Sequence, residues 1–348
     1  MNAVLIIDKP AGLTSHDVVN RVRRILNERS VGHLGTLDPM ATGVLPIVIG
    51  NFTRLAQFYV SSEKTYEGTV RFGFCTDTYD AEGEPTSEIK DVHLDPNQLE
   101  SAVAKFRGVI DQEPPPFSAK KIKGVPAYKL ARKQKDVHLN PVQVEIKELQ
   151  VLGVDVDRMR FRARVTSGTY MRSVAHDLGK ALGCGAHLET LRRTAVAEFT
   201  IAEAHTLDEL SEAAAGNSDI SQAFNESSRE AAKEYSPRRK PWVAGEFGEA
   251  PEGRKNTLIA AVPEIISVEE PQLLLELTIH PRKLLPQMPC VTADEPTAAR
   301  IRAGRPVNLP DLSRARQVKV FANQRELIAI ATRVAGTLFH AKIVLHGS

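Results

Sequence analysis

A glycine-rich segment, Gly32–Pro46, constrains the fold of this chain more than any other feature. It holds one carboxylate, Asp38, with glycines on both sides and a histidine, His33, upstream. Glycines at 32, 35 and 43 allow backbone angles that other residues avoid, and they let another segment approach closely. Asp-Pro is also a good helix start, with aspartate as the N-cap and proline as the first helical residue. Asp38 is therefore either a structural cap or a reactive group.

The length of 348 residues is enough for two or three domains, and a hydrophobic content of 42% excludes a mostly disordered chain. The 45 basic and 43 acidic residues leave a net charge of only +2, so any nucleic-acid surface must come from local clustering. The three cysteines fall in no metal or redox spacing, which is typical of reduced thiols. No stretch has the length of a signal peptide or a membrane span. We therefore expect a soluble, cytoplasmic protein.

Strands and helices are both predicted, so the expected fold class is α+β. Val4–Ile7 is typical of a buried strand, and Thr14 has capping-box spacing before a helix at Val18–Leu26. Residues 158–165 alternate strictly between arginine and apolar side chains, which predicts a strand with four arginines on one face. Residues 213–257 lack sustained periodicity and predict a linker or mobile insertion. Further strands are predicted at 317–322, 327–333 and 338–345, which indicates a small β-rich module at the C-terminus.

The segment Phe117–His138 is locally basic and contains a single acid, Asp136. A charge run of this kind can be an ordinary solvated helix face. Seven cations in so short a span, beside an arginine-lined strand, favour a surface that binds a polyanion. The seven are Lys120, Lys121, Lys123, Lys129, Arg132, Lys133 and Lys135.

Patterns for metals and nucleotide cofactors are incomplete. The acidic segment Asp77–Gly83 fails the calcium pattern because Tyr79 stands where an oxygen ligand is needed, and a turn between strands is the favoured interpretation. A glycine pair at 183 and 185 lacks the third glycine of a dinucleotide site and ends a helix rather than starting one. We therefore expect no metal site and no cofactor.

Taken together, six ordered motifs resemble the TruB family of tRNA pseudouridine(55) synthases. The similarity runs almost continuously from Leu5 to Thr194. The motifs are Asp8-Lys9-Pro10-Ala11-Gly12, the Gly32–Gly43 loop, Lys64-x-Tyr66, Thr76-Asp77-Thr78-x-Asp80, Pro115-x-Phe117-Ser118-Ala119-x-Lys121, and Gly168-Thr169-Tyr170-x-Arg172 with Leu191-Arg192-Arg193-Thr194.

The resemblance implies a pseudouridine-synthase fold, with a mixed, largely antiparallel central sheet flanked by helices. It implies a catalytic domain at residues 1–212 with an RNA-binding thumb at about 114–141, and a C-terminal region at 258–348 with a small PUA-like β-rich domain at about 286–348. It also implies that the protein acts, without a cofactor, on a uridine in the T arm of tRNA. The oligomeric state stays open, with a monomer as the default.

The same resemblance assigns a role to each site residue. Asp38 is the essential catalytic carboxylate, and Arg172 is its ion-pair partner. Tyr66 stacks on the target uracil and helps with proton transfer, Tyr170 and Leu191 shape the uracil pocket, and His33 fills the space left by the extruded nucleotides. The thumb contacts the RNA backbone through Lys120, Lys121, Lys123, Lys129 and Arg132.

Two other functions stay open at this point. One is a non-catalytic RNA-binding or tRNA-folding protein in which Asp38 is only an N-cap. The other is a metal-dependent phosphodiesterase that uses Asp77, Asp80 and Glu82. The isomerase is favoured because an isomerisation consumes no external reagent, and the sequence offers a carboxylate and a basic surface without a cofactor motif.

Overall fold

The computed structural model describes residues 1–118, 120–122, 124–127, 139–215, 272–310 and 315–345. The chain divides into two compact units, one of residues 1–211 and 277–348 and the other of residues 212–276. The predicted linker at 213–257 lies outside the described residues except for its first three residues, which end a helix.

A nine-stranded sheet forms the centre of the first unit. Its main path runs in the order β1-β3-β10-β4-β9-β8-β5, while β2 pairs with β3 and β11 pairs with β10. The β3–β10 pair is parallel, and the other pairs in this sheet are antiparallel. The predicted mixed, largely antiparallel sheet is therefore confirmed. The strands are β1 (Ala3–Lys9), β2 (Val31–His33), β3 (Thr42–Ile49), β4 (Lys64–Phe72), β5 (Gly108–Gln112), a separate pair β6 (Lys121–Ile122) and β7 (Val125–Pro126), then β8 (Val142–Asp155), β9 (Arg158–Val165), β10 (Ala186–Val196) and β11 (Phe199–Thr200).

Burial follows the sequence pattern of each strand. The apolar strands β1 and β3 are buried along nearly their whole length. In β9 the apolar residues are buried and the four arginines lie on the more exposed face, as the alternation predicts. The sheet thus has a packed face and, along β9, a charged one.

Helices pack against this sheet and hold its loops in place. The first helix begins at the predicted capping box, in which Asp17 N–H donates to the Thr14 side chain and the Asp17 carboxylate accepts from Thr14 N–H. The third helix packs on β10, and the second packs on β8 and on the third helix. The helices are α1 (Ser15–Ile25), α2 (Pro96–Ala104), α3 (Met171–Ala181), α4 (Leu207–Ala215), α5 (Gln272–Glu276) and α6 (Glu295–Arg302), with shorter 3-10 turns at Gly50–Phe58, Ile201–Glu203 and Pro281–Lys283.

The C-terminal part forms a second sheet, of five strands in the order β12-β14-β15-β16-β13. Its three longer strands lie where the sequence predicts them. An apolar core joins this part to the central sheet, because Phe321 and Ile343 pack in one cluster with Val4 and Phe52. The strands are β12 (Cys290–Thr292), β13 (Val307–Asn308), β14 (Gln317–Phe321), β15 (Leu327–Ala335) and β16 (Leu338–Val344).

None of the helices in the described ranges is both long and apolar enough to cross a membrane.

Candidate active site

Asp38 lies in the loop between β2 and β3, and no helix follows it. The N-cap alternative is therefore wrong. The local preference of Asp-Pro for a helix start is overridden because neighbouring segments fix the backbone on both sides of Asp38. Asp38 itself is left with its side chain 35% exposed.

Two buried side chains hold the Asp38 loop. Ser15 Oγ accepts from the N–H of Leu37 at 2.8 Å and lies 3.2 Å from the Leu37 carbonyl, to which it donates. On the other side, the fully buried Lys9 donates to three backbone carbonyls, including that of Pro39 at 3.1 Å. Burial lowers the pKa of Lys9 to about 8, while the charge of Asp38 opposes that shift. The residues on either side of Asp38, Leu37 and Pro39, are thus hydrogen-bonded to side chains of α1 and β1.

The structure places Arg172 beside Asp38. Arg172 Nε lies 2.8 Å from Asp38 Oδ2, an ion-pair distance at which the N–H does not point along a hydrogen-bond direction. The arginine side chain is only 6% exposed. It comes from the first turn of α3, just after Tyr170, which is the residue before the helix. A cation and a carboxylate from distant parts of the chain therefore meet at one point.

Asp80 is a further member of this group that the residue-by-residue predictions did not include. Its Oδ2 lies 3.5 Å from Arg172 Nη1, and its Oδ1 accepts from the Thr78 hydroxyl at 2.6 Å and from the Glu82 N–H at 3.1 Å. Arg172 also donates to the carbonyls of Thr78, at 3.0 Å, and Phe117, at 3.1 Å. The signal in the sequence was the motif Thr76-Asp77-Thr78-x-Asp80, which was interpreted as a turn.

The predicted turn at Asp77–Gly83 is present, and Asp77 and Asp80 each accept a backbone hydrogen bond in or next to it. Asp77 Oδ1 accepts from the N–H of Glu84 at 2.9 Å, much as Asp80 accepts from Glu82. Across the described residues, no three side chains of the His, Cys, Asp and Glu types are grouped so as to hold a metal ion.

Asp38 opens into a cavity of about 290 Å³. That volume is near the lower end of pockets that hold small molecules. Four of the predicted site residues line it together with Asp38, and His33 does not. The lining includes Asp38, Tyr66, Tyr170, Arg172 and Leu191, together with Lys64, Phe117 and Arg193.

Arg193 is a second residue that the predictions did not assign. It is fully buried and donates to the carbonyls of Gly35 at 3.0 Å, Thr36 at 3.2 Å and Val44 at 2.8 Å. Burial lowers the pKa of Arg193, and the neighbouring Tyr66 side chain opposes that shift. Arg193 therefore fixes the Asp38 loop beside Tyr66.

Gln112, at the end of β5, holds Tyr170 by its backbone. Its side-chain oxygen accepts from Tyr170 N–H at 2.8 Å, and its side-chain nitrogen donates to the Tyr170 carbonyl at 3.1 Å. Gln112 is buried. Burial also raises the pKa of the Tyr170 hydroxyl, which keeps this ring neutral against the cavity.

The remaining predicted residues lie away from the cavity or outside the described part of the chain. His33 is on β2, where burial lowers its pKa. Of the thumb residues, Lys120 is described and Lys121 begins β6, while the other three lie outside the described residues. Those three are Lys123, Lys129 and Arg132.

The arginine face of β9 carries less charge than its sequence suggests. Arg158 pairs with Asp157 and Glu189, and Arg164 pairs with Glu63 and Glu148. Arg162 lies 3.9 Å from Glu67. Carboxylates on the neighbouring strands and turns thus offset the positive charge of three of the four arginines.

Comparison with solved structures shows the same fold in proteins of H/ACA ribonucleoprotein complexes. The chain matches a protein in "Structure of H/ACA RNP bound to a substrate RNA containing 2'-deoxyuridine" over 99% of its own length and 85% of that chain, with a TM-score of 0.63 and 20% identity. It also matches a protein in "Crystal structure of the archaeal box H/ACA sRNP Nop10-Cbf5 complex" over 99% of its own length and 86% of that chain, with a TM-score of 0.62 and 20% identity. At 20% identity these two matches show a shared fold.

Sequence comparison then gives the family. Residues 23–171 match the model described as "TruB family pseudouridylate synthase (N terminal domain)", and residues 172–224 match "tRNA pseudouridylate synthase B C-terminal domain". The chain is 45% identical to the tRNA pseudouridine synthase B of Solibacter usitatus, covering 99% of this chain and 100% of that one. It is 47% identical to that of Aquifex aeolicus over 60% of this chain and 73% of that one. The chain belongs to the TruB family of pseudouridine synthases and is an isomerase.

Proposed function

We propose that this protein converts uridine to pseudouridine in the T loop of tRNA, at position 55. The relatives named tRNA pseudouridine synthase B support tRNA as the substrate. The observation that carries the proposal is the ion pair of Asp38 with the buried Arg172 at the wall of a cavity. The T arm as the contact region, a monomeric state and a cytoplasmic location remain predictions of the sequence.

The reaction breaks the bond between ribose C1′ and uracil N1, turns the base over and joins C1′ to C5. The proton on C5 is lost and N1 gains one, so the product is an isomer of the substrate. A base inside a folded loop has to be extruded first, at a cost of a few kcal/mol. Stacking on an aromatic ring returns about 1–3 kcal/mol, and Tyr66 in the cavity wall is placed for it.

Asp38 is the group that reacts. Two routes use the same carboxylate: it adds covalently to the ribose or the base, or it removes a ribose proton to give a glycal. In each case the oxygens must face the reacting atom of the nucleotide and stay in one position. Arg172 provides that restraint, because its own guanidinium is fixed by Asp80 and two backbone carbonyls.

The other residues shape the space around the base. Tyr170 and Leu191 line the cavity beside Arg172 and form its walls against the uracil. His33, outside the cavity on β2, takes the position vacated by the extruded nucleotides. The basic thumb holds the RNA backbone.

The test is a tRNA transcript without modifications, incubated with the purified protein and mapped for pseudouridine. We expect product at the T-loop position from the wild type and none from Asp38→Asn. A transcript left unmodified by the wild type would refute the proposed function, and full activity in Asp38→Asn would refute the assignment of Asp38.

A further inference from the structure

Three cations line the cavity within the described part of the chain: Lys64, Arg172 and Arg193. The two arginines are held by contacts within the protein. Arg172 contacts two carboxylates and two carbonyls, and Arg193 contacts three carbonyls and the Tyr66 side chain. Each guanidinium is thus held in place by several protein oxygens, while Arg172 Nε pairs with Asp38 without a hydrogen bond.

Lys64 differs from both arginines. It lies on β4 two positions before Tyr66, and successive side chains of a strand alternate, so the two side chains share the face that meets the cavity. An ammonium group carries three N–H donors. The described residues supply one hydrogen-bond acceptor, the Ser62 carbonyl at 2.7 Å, and no carboxylate within ion-pair distance.

The charge on Lys64 is costly in the free protein. Burial, together with the nearby Arg193, lowers the pKa of Lys64 to about 8. Its Cε also passes 3.8 Å from the position of a Cβ built on Gly35, so the side-chain stem packs along the Asp38 loop. An anionic oxygen brought into the cavity would satisfy the open donors and offset the neighbouring positive charge.

We infer that Lys64 is a substrate-binding residue that donates hydrogen bonds to an anionic oxygen of the extruded nucleotide. This inference rests on the proposed function. The nucleotide offers two such oxygens. One is on its backbone phosphate, which is charged throughout the reaction.

The other is on the uracil after C1′–N1 breaks. The electron pair of that bond stays with N1 and spreads to the ring oxygens, while the electron-poor C1′ faces Asp38. Formation of the C1′–C5 bond uses this electron pair and makes the ring neutral, and loss of the C5 proton together with protonation of N1 then completes the isomer. Lys64 keeps its proton in either case, because it acts by hydrogen bonding alone.

The experiment compares the wild type with Lys64→Met, Lys64→Gln and Lys64→Arg. Glutamine has an N–H donor for the Ser62 carbonyl but no charge, so it serves if the methionine variant fails to fold. Lys90→Met is the matched control, since Lys90 is exposed, also donates to one backbone carbonyl, that of Gly183 at 3.4 Å, and does not line the cavity. Two quantities are measured on an unmodified tRNA transcript: the Kd at several salt concentrations, and the single-turnover rate of pseudouridine formation.

The two sources of the oxygen give different results. If Lys64 binds phosphate, the neutral variants raise Kd and reduce the slope of log K against log salt by about 0.7 to 0.9, and Lys64→Arg restores both. If Lys64 binds the uracil oxygen, Kd and the salt slope stay at the wild-type values and the single-turnover rate falls about ten- to a hundredfold.

A folded neutral variant with wild-type Kd, salt slope and rate would overturn the inference. The inference would also be overturned if Lys90→Met lost as much affinity or rate as the neutral Lys64 variants. The wild-type reaction in the same assay separates this result from the proposed function: if the wild type makes no pseudouridine, the proposed function fails first.

Discussion

Asp80 and Arg172 form a buried ion pair in which Oδ2 and Nη1 lie 3.5 Å apart and each side chain is 6% exposed. Through it the loop after β4 is joined to the helix that supplies the partner of Asp38. The position of the reactive carboxylate thus depends on a second carboxylate that does not line the cavity.

Removing the charge of Asp80 should reduce activity while leaving the fold intact. Asparagine at this position keeps an oxygen for the Thr78 hydroxyl and the Glu82 N–H, but it loses the attraction to Arg172. We expect Asp80→Asn to lower the single-turnover rate about ten- to a hundredfold, since a buried charged partner contributes about 1.5–3 kcal/mol. Asp77→Asn is the control, because Asp77 accepts a similar backbone hydrogen bond and has no arginine partner among the described residues. Equal rates in the two variants would contradict the role given to Asp80.

Gly43 should be sensitive to a single added carbon. Its φ is +99°, and a Cβ there would collide with the backbone carbonyl oxygen of Arg193 on the parallel strand β10. We expect Gly43→Ala to lower the free energy of unfolding by about 2 kcal/mol or more. Gly108→Ala separates the cost of the positive φ from the cost of the collision, because Gly108 has a φ of +89° and nothing within 4 Å of the added carbon. This substitution should cost only about 1 kcal/mol. Denaturant unfolding measures both, and equal losses would show that the contact with Arg193 is unimportant.

Gln112 should act through Tyr170. Methionine in its place fills a similar volume but leaves the Tyr170 N–H without its partner and removes one of the two hydrogen bonds to the Tyr170 carbonyl, which still accepts from Val174 N–H. We expect Gln112→Met to reduce the free energy of unfolding by about 2 kcal/mol and to slow pseudouridine formation about tenfold. Gln150→Met, at an exposed position of β8, should change neither. The assignment fails if both variants behave alike.

The half-buried charge of Lys64 predicts a pH dependence of stability. The pKa of Lys64 is lowered from 10.5 to about 8, so between those values the unfolded chain binds more protons than the folded one. Stability then rises with pH across that window. We expect the free energy of unfolding of the wild type, relative to Lys64→Met, to increase from pH 8 to pH 10.5.

The titratable or charged groups that line the cavity with Lys64 are Asp38, Tyr66, Tyr170, Arg172 and Arg193. They are common to both proteins, so their own titration is largely removed by taking the difference. Denaturant unfolding at several pH values measures this difference in the free energy of unfolding. Lys105→Met is the control, because Lys105 lies at an exposed position after α2. A difference that stays flat or falls with rising pH would contradict the prediction.

The sequence alone determined the local elements. The capping box at Thr14 and the alternation in β9 specify a helix and a strand because both signals are contained within a few neighbouring residues. The glycine-rich loop likewise singled out Asp38, and the ordered motifs gave the family and the fold.

The tertiary structure decided what each of these elements does. Local preference allowed Asp38 to be a helix cap, and hydrogen bonds from Ser15 and Lys9 to its neighbours exclude that conformation. The contacts of Asp80 with Arg172, and of Arg193 with the Asp38 loop, join segments far apart in the chain. No local pattern encodes such contacts, because they arise only when the sheet brings strand ends and loops together and burial makes each polar group find a partner.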